Sequence, residues 1–282
     1  MIIDFHTHTF PPDIAERTIP MLAKTGNIIN YTDGTKPDLE LSMKNAGIDY
    51  SVLLPIATKP AQTKKINALA AKTNETSDVT GLISFGSIHP ENDNYKELLK
   101  EAKSLGIKGI KLHPYYQHIK ADDEKIVRIV DTIENLDMIT IFHAGLDVGF
   151  EGENLASPKQ FYNLYRQLTP EKLVLAHMGG WRMWNDVEEF LCSLPIYLDI
   201  SFTLGKIEPY IAGSRSEKDC ERISDEQFIR IVKKLGAEHI LFGSDSPWSN
   251  QKNALELLDN VGLTEKEIVL IKGENARKLL NL

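Results

Sequence analysis

The chain has 282 residues, of which 42% are hydrophobic and 26% charged, and its formal net charge is −8. This composition is typical of a folded globular protein and excludes a largely disordered chain. The acidic balance disfavours general nucleic-acid binding, which needs a basic surface, and docking on anionic membranes.

Eight short apolar or β-branched runs predict strands that are buried on both faces. In chain order they are Ile2–His6, Tyr50–Pro55, Gly81–Ser87, Gly109–His113, Met138–His143, Leu173–His177, Ile196–Ile200 and His239–Phe242. Amphipathic stretches with helical spacing lie between the later strands and after the last one. They are Asp93–Leu105, Asp123–Leu136, Pro158–Leu168, Asp186–Leu194, Glu226–Leu235, Gln251–Asn260 and Thr264–Leu280.

This alternation of strands and helices predicts βαβ units and a parallel sheet. Eight repeats favour a closed (β/α)8 TIM barrel over an open sheet, and no Gly-rich dinucleotide motif follows the first strand. No linker divides the chain, so we expect a single domain over residues 1–282. Three irregular stretches, Phe10–Pro37, Leu146–Ser157 and Leu204–Ser224, follow strands and are expected at the carboxyl face, where active sites of such barrels lie.

Cys192 and Cys220 are too few for a disulfide framework and fit a reducing compartment. The N-terminal sequence MIIDFHTHTF has neither the basic nor the apolar region of a signal peptide, and no apolar run approaches the roughly 20 residues of a membrane span. We therefore expect a cytoplasmic protein that acts on a small molecule, without nucleic-acid or membrane partners. A homo-oligomer is compatible with the sequence but not required by it.

Histidines are concentrated where the predicted strands end. Side chains two residues apart on a strand point the same way, so Asp4, His6 and His8 are expected to face the barrel interior. Neutral imidazole is a common metal ligand, and the concentration predicts a divalent metal site at the barrel mouth. Asp245, just past the eighth strand, is either a further ligand or only a turn residue. The histidines at predicted strand ends are His6, His8, His89, His113, His143 and His177.

The motifs DFHTH, KLHP, FHAG, AHMGG and GSDSPW, in this order between residues 4 and 248, resemble the amidohydrolase superfamily. The resemblance is greatest to its amidohydrolase-related branch of small hydrolases and metal-dependent decarboxylases. It implies a divalent metal held by His6, His8, His143 and Asp245, with Asp245 also the general base. It implies that His177 either binds a second metal or polarises the substrate carbonyl. We expect one ion per chain, Zn²⁺ or alternatively Mn²⁺.

Lys111 and His113 lie two apart on the fourth strand and should share a face. Lys111 has three interpretations: a carboxylated lysine that bridges two metals, an ammonium that binds a substrate carboxylate, or a side chain that reaches solvent. His113 is expected to line the substrate pocket. Arg182 and Trp248, in loops after strands six and eight, are further candidates for substrate binding, and Arg182 is alternatively a surface residue.

These features predict a hydrolase in which a metal-activated water cleaves an amide, lactone or ester bond of a small molecule. The alternative is a metal-dependent non-oxidative decarboxylase of a small aromatic or unsaturated acid. A phosphoesterase is disfavoured because no histidine follows Asp245. A barrel that binds a ligand without turnover is disfavoured because the metal-ligand residues implied by the resemblance are all present. Asp199, Ser201 and Asp4 are expected to contact the metal ligands without binding the metal themselves and so to orient them.

Overall fold

The computed structural model describes residues 1–150, 152–216, 220 and 222–282 and places the predicted strands side by side in parallel pairs. The third strand is interrupted at Phe85, so its two parts belong to sheets of three and six strands. The strands are β1 Ile3–Thr7, β2 Tyr50–Leu53, β3 Leu82–Ser84, β4 Gly86–Ser87, β5 Gly109–Leu112, β6 Ile139–Phe142, β7 Leu173–Leu175, β8 Tyr197–Asp199 and β9 Ile240–Leu241.

Backbone hydrogen bonds between β1 and the segment that follows β9 close the barrel. Phe5 N donates to Phe242 O at 2.8 Å, and Asp245 N donates to His6 O at 2.8 Å. His8 N also donates to a carbonyl beyond β9, at 2.7 Å. The predicted (β/α)8 barrel is therefore confirmed, and its closure brings His6, His8 and Asp245 to one point on the rim.

Helices lie between successive strands along the chain, except between β3 and β4, which only Phe85 separates. Some helices begin directly after a polar residue that caps them. The side chains of Asp123 and Ser224 accept hydrogen bonds from backbone amides in the first turn of the helices that follow them. No helix among the described residues is long and apolar enough to span a bilayer. The helices are α1 Pro12–Gly26, α2 Lys36–Ala46, α3 Thr63–Asn74, α4 Ser77–Thr80, α5 Tyr95–Ser104, α6 Glu124–Asn135, α7 Pro158–Leu168, α8 Trp184–Phe190, α9 Asp225–Leu235, α10 Gln251–Asp259, α11 Glu265–Val269 and α12 Asn275–Leu280.

The prediction that Phe10–Pro37 is irregular is wrong, because α1 occupies most of it. Ala15, Ile19 and Ala23 give this helix a buried face at four-residue spacing, and its prolines obscure the pattern in the sequence. The stretch Leu146–Ser157 carries no helix or longer strand among its described residues, as predicted. The third stretch includes residues 217–219 and 221, which lie outside the described residues.

An apolar layer fills the inside of the barrel below its mouth. In β6, Ile139 and Ile141 point inward and His143 continues the same alternation at the rim. α12 contributes apolar side chains to the same inner cluster. The layer consists of Ile3, Phe5, Val52, Leu54, Ile83, Phe85, Ile139, Ile141, Val174, Leu241, Ala276, Leu279 and Leu280. The histidines His6, His8, His143 and His177 therefore lie above this apolar layer, toward the carboxyl ends of the strands.

Gly145 marks a close contact between the loops after β6 and β7. Its φ is +89°, and a Cβ at this position would lie 1.9 Å from Trp181 N. We expect Gly145→Ala to lower the free energy of unfolding by about 4 kcal/mol or more, because the backbone collision cannot relax cheaply. Gly106→Ala is the matched control: its φ is +77° with nothing within 4 Å, so only the left-handed backbone contributes, about 1 kcal/mol. If urea denaturation gave equal decreases in the free energy of unfolding for the two variants, the prediction would be contradicted.

Candidate metal centre at the barrel mouth

Three potential ligand atoms converge where the barrel closes. The Nε2 atoms of His6 and His8 lie 3.2 Å apart, and they lie 3.5 Å and 3.2 Å from Asp245 Oδ1. Bonds of about 2.1 Å to a tetrahedral Zn²⁺ imply ligand atoms about 3.4 Å apart. The three atoms therefore have the spacing expected of three ligands around one ion.

Hydrogen bonds on the far side of each ring fix its tautomer. His6 Nδ1 lies 2.8 Å from the Asp199 carboxylate, and His8 Nδ1 lies 3.0 Å from Leu54 O. Both partners can only accept, so each Nδ1 carries the hydrogen and each Nε2 keeps its lone pair. Two lone pairs and the oxygen of Asp245 thus face one another, and the Lys111 ammonium, 3.4 Å from His6 Nε2, is the nearby cationic group. A metal ion between the three atoms would stabilise them further.

The protonation states suit metal binding at neutral pH. Burial, together with the nearby charge of Lys111, lowers the pKa of His6 to about 4. Burial alone would raise the pKa of Asp245, but its contact with His8 and the neighbouring imidazoles hold it below the usual value. The imidazole of His6 is therefore neutral and the carboxylate of Asp245 ionised, which are the forms that bind metals.

Lys111 lies inside this centre rather than in solvent. It is 1% exposed, and its Nζ lies 3.4 Å from His6 Nε2. Burial lowers the pKa of its ammonium to about 8. The solvent-exposed interpretation is thus wrong, because the inward-facing positions of β5 lie within the barrel. The carboxylated and substrate-binding interpretations stay predictions.

The Asp199 carboxylate accepts hydrogen bonds from two of the histidines, from the ring of His6 and from the backbone amide of His177. One of its oxygens accepts from His6 Nδ1, while the other accepts from His177 N at 3.2 Å and Ser201 N at 2.9 Å. Burial raises the pKa of this carboxyl, but its interaction with His6 and the hydrogen bonds that it accepts outweigh burial and hold the pKa well below the usual range. A carboxylate behind a ligand histidine fixes the tautomer and the orientation of the ring.

Asp199→Asn is expected to weaken Zn²⁺ binding by about 10- to 100-fold. An amide at this position presents an NH2 group toward His6 Nδ1 and shifts the ring hydrogen to Nε2, where the ion would bind. The affinity is measured by competition with a chromophoric chelator. Asp131→Asn, an exposed change on α6, is the control, and wild-type affinity in the Asp199→Asn protein would remove Asp199 from this role.

Asp4 does not share a face with His6 and His8, so that part of the prediction is wrong. Its carboxylate accepts hydrogen bonds from Ser244 N at 2.9 Å, Ser244 Oγ at 2.5 Å and Gln251 Nε2 at 2.8 Å, away from the mouth. The pairing register of β1 shifts between Asp4 and Thr7. This irregularity breaks the strict alternation on which the prediction depended.

A second group of ligand-type side chains adjoins the first. The His113 and His143 rings stack with centroids 4.2 Å apart, and the Nε2 atom of each lies 3.6 Å from Asp147 Oδ2. Among the described residues, the spacing of ligand atoms groups His143 with these two residues and not with the first three. His143 Nδ1 lies 3.1 Å from His177 Nε2 and so connects the two groups. That His143 completes the first ligand set stays a prediction.

Asp147 is the site residue that sequence reasoning missed. It lies in the irregular segment after β6, and only its spacing of four residues from His143 hinted at a contact. Its side chain is 9% exposed, and burial raises its pKa to about 6. The segment turns back over the mouth, where Gly149 N donates to Asp147 Oδ1 at 2.7 Å.

The remaining predicted site residues lie farther out. The Arg182 guanidinium lies 5.4 Å from the centroid of the Trp181 ring, and Trp248 lines a cavity of about 350 Å³. His89 Nδ1 accepts from Glu91 N at 3.1 Å, which is a structural contact. Substrate contacts by Arg182 and Trp248 stay predictions. The cavity beside Trp248 is also lined by Tyr31, Phe202, Leu204, Arg222 and Asn253.

A parallel eight-stranded barrel with imidazoles and carboxylates gathered at its carboxyl mouth defines the class of metal-dependent barrel enzymes. The family model Amidohydro_2, described as amidohydrolase, matches residues 3–282. The chain therefore belongs to the amidohydrolase family, and the resemblance seen in its motifs is confirmed. A search of curated proteins gives no match.

Solved structures with similar folds include both decarboxylases and a hydrolase. The 5-carboxyvanillate decarboxylase of Sphingomonas paucimobilis has a TM-score of 0.70 at 15% identity, over 100% of this chain and 99% of that one. A probable 2-pyrone-4,6-dicarboxylic acid hydrolase of Acinetobacter baumannii has 0.65 at 15%, over 100% and 99%. A dihydroxybenzoic acid decarboxylase of Polaromonas with bound manganese has 0.66 at 16%, over 100% and 97%. At these identities the likeness establishes the fold alone.

Proposed function

We propose that this protein is a metal-dependent hydrolase that cleaves an amide, lactone or ester bond of a small molecule. The observation that carries the proposal is the convergence of the His6 and His8 lone pairs with the Asp245 carboxylate. A divalent cation held there acts as a Lewis acid and lowers the pKa of water toward neutrality. We propose Zn²⁺, with Mn²⁺ as the alternative, since a nitrogen and oxygen donor set suits either ion.

Asp245 is proposed as the general base. Its Oδ1 contacts both strand-one histidines, and the carboxylate is ionised at neutral pH, so it is able to accept a proton from the attacking water. The same carboxyl then delivers that proton to the leaving group.

His177 is proposed as a second catalytic residue that polarises the substrate carbonyl. Its Nδ1 lies 3.0 Å from Ser201 O, which accepts, and 3.0 Å from Ser201 Oγ, which can donate, so either neutral tautomer has a partner. The tautomer with its hydrogen on Nε2 is the one that donates to a carbonyl oxygen. The alternative role of His177, as a ligand, needs the tautomer with a lone pair on Nε2.

Decarboxylation of a small aromatic or unsaturated acid is the second candidate function. It is favoured by Lys111, because a buried ammonium beside the centre is suited to bind a substrate carboxylate. Two of the similar solved structures named above are decarboxylases, although they share only the fold. In this reaction Asp245, once protonated, would supply the proton that replaces the lost carboxyl group.

Isotope labelling of the products separates the two reactions. The metal-loaded protein is screened against lactones, amides, esters and aromatic acids in water labelled with heavy oxygen, and again in deuterium oxide. A hydrolase places solvent oxygen in its product, whereas a decarboxylase releases carbon dioxide and places deuterium on carbon. Carbon dioxide without solvent oxygen in the product would overturn the hydrolase proposal. Turnover that survives complete removal of the metal would overturn both.

The proposal includes a cytoplasmic location and a small-molecule substrate, without nucleic-acid or membrane partners. The acidic net charge supports the absence of nucleic-acid and anionic-membrane partners. The proposal does not depend on whether the protein forms a homo-oligomer.

A further inference from the structure

The turn that carries Asp245, residues 243–246, has an unfavourable backbone conformation. Asp245 has a φ of +68°, in the left-handed region that a residue with a Cβ rarely adopts. Such a conformation persists only where the surrounding structure determines it from several directions. The position of the Asp245 carboxylate therefore depends on the contacts that hold this turn against β1.

Three consecutive backbone amides fix the turn. Asp245 N donates to His6 O at 2.8 Å, and Ser244 N donates to Asp4 Oδ1 at 2.9 Å. Ser246 N donates to Ser244 Oγ at 3.0 Å, and this hydroxyl in turn donates to Asp4 Oδ2 at 2.5 Å. The amides on both sides of Asp245 thus depend on the carboxylate of Asp4, one of them directly and the other through a single hydroxyl.

Asp4 also contacts the backbone of a ligand on its own strand. Its Oδ1 accepts from His6 N at 3.2 Å as well as from Ser244 N, so one oxygen joins β1 to the turn. The side chain is fully buried, and Oδ2 accepts from Ser244 Oγ and from Gln251 Nε2. Because donors occupy both oxygens, the carboxylate is itself held in one orientation. It therefore couples the backbone positions of His6 and Asp245, which come from opposite ends of the chain.

We propose that Asp4 is a positioning residue, which sets the separation between the Asp245 carboxylate and the imidazoles of His6 and His8 through the backbone of the turn. The inference rests on the proposed function, since these are the side chains that a catalytic cation would join. Asp245 Oδ1 lies 3.5 Å and 3.2 Å from the two Nε2 atoms. A displacement of the turn by about 1 Å would remove this spacing.

Zn²⁺ affinity and amide hydrogen exchange of the full-length protein test the proposal without any substrate. Asp4→Ala is expected to weaken Zn²⁺ binding by about 10- to 100-fold in competition with a chromophoric chelator. In the metal-free protein, mass spectrometry should show faster exchange of the turn, because its amides lose their acceptors. Ser244→Ala removes only the hydroxyl and should change both readouts in the same direction by a smaller factor.

Gln251→Met is the matched control for a general loss of stability. Gln251 Nε2 donates to the same Asp4 Oδ2 at 2.8 Å and to Ser51 Oγ at 3.2 Å, and within the described part of the chain it donates to no atom of the turn. Its removal should therefore lower the free energy of unfolding but leave the Zn²⁺ affinity and the exchange of the turn unchanged. Equal losses of Zn²⁺ affinity in Gln251→Met and Ser244→Ala would overturn the positioning role.

The two readouts separate this inference from the proposed function. Wild-type Zn²⁺ affinity in folded Asp4→Ala protein would overturn the positioning role and leave the proposed function intact. Failure of the wild-type protein to bind Zn²⁺ or Mn²⁺ would overturn the proposed function. Unchanged exchange of the turn in metal-free Asp4→Ala protein would overturn the positioning role in either case. If Asp4→Ala does not fold, as judged by circular dichroism, Ser244→Ala decides the outcome in the same way.

Discussion

Asp245→Asn is expected to lower kcat/KM by about a thousandfold while the protein remains folded. The amide has nearly the same shape as the carboxylate, but it cannot accept a proton from water, and it is a weaker metal ligand. The buried polar network that holds the neighbouring backbone does not use the Asp245 side chain, because Asp245 N donates to His6 O. The loss should therefore be chemical and not structural.

The measurement compares kcat and KM of the Asp245→Asn protein with wild type at saturating metal, on the substrate found by the product screen. Asp131→Asn on α6 changes one exposed carboxylate to an amide and should leave both constants unchanged. Circular dichroism establishes that each variant is folded. Turnover within a few-fold of wild type would exclude Asp245 as the general base.

His6→Ala and His8→Ala are both expected to abolish turnover but to differ in stability. Each removes one of three converging ligands, so we expect at least a thousandfold loss of kcat/KM. His6 also donates a hydrogen bond at 2.8 Å to buried Asp199. Its removal leaves a buried ionised oxygen without this donor and should lower the free energy of unfolding by about 3 kcal/mol.

His8 supplies the matched comparison. Its side chain is 15% exposed and its Nδ1 donates only to a backbone carbonyl, so His8→Ala should lower the free energy of unfolding by about 1 kcal/mol. Urea denaturation of the metal-free proteins measures both values. Equal stabilities of the two variants, or normal activity in either, would contradict the proposed arrangement.

The barrel could be predicted because its strands are short, apolar and separated by amphipathic helices. β6 and α7 illustrate this: a run of Ile and Phe ends in a histidine, and a capping Ser157 precedes Pro158 at the start of the helix. α1 could not be recognised, because Pro11, Pro12 and Pro20 hide its buried face. The helix nevertheless forms, since a proline at its first position needs no amide partner.

The candidate site could be predicted only in part. His6, His8 and Asp245 meet because strand ends of a closed barrel meet, which depends on topology alone. The orientation of Asp4 and the contacts of Asp147 depend on an irregularity in β1 and on the path of a loop. Neither leaves a periodic signal in the sequence, because both arise from contacts between distant parts of the chain.

The joint between β1 and the residues after β9 has a consequence for the whole polypeptide. His6 and His8 belong to the N-terminal part of the chain and Asp245 to its C-terminal part. A cation bound there would therefore cross-link the first strand to the segment after the last strand, where the barrel closes. Occupancy would then be thermodynamically linked to global unfolding and not merely to the order of one loop. Loss of the ion would therefore lower the free energy of global unfolding by an amount set by the free metal concentration.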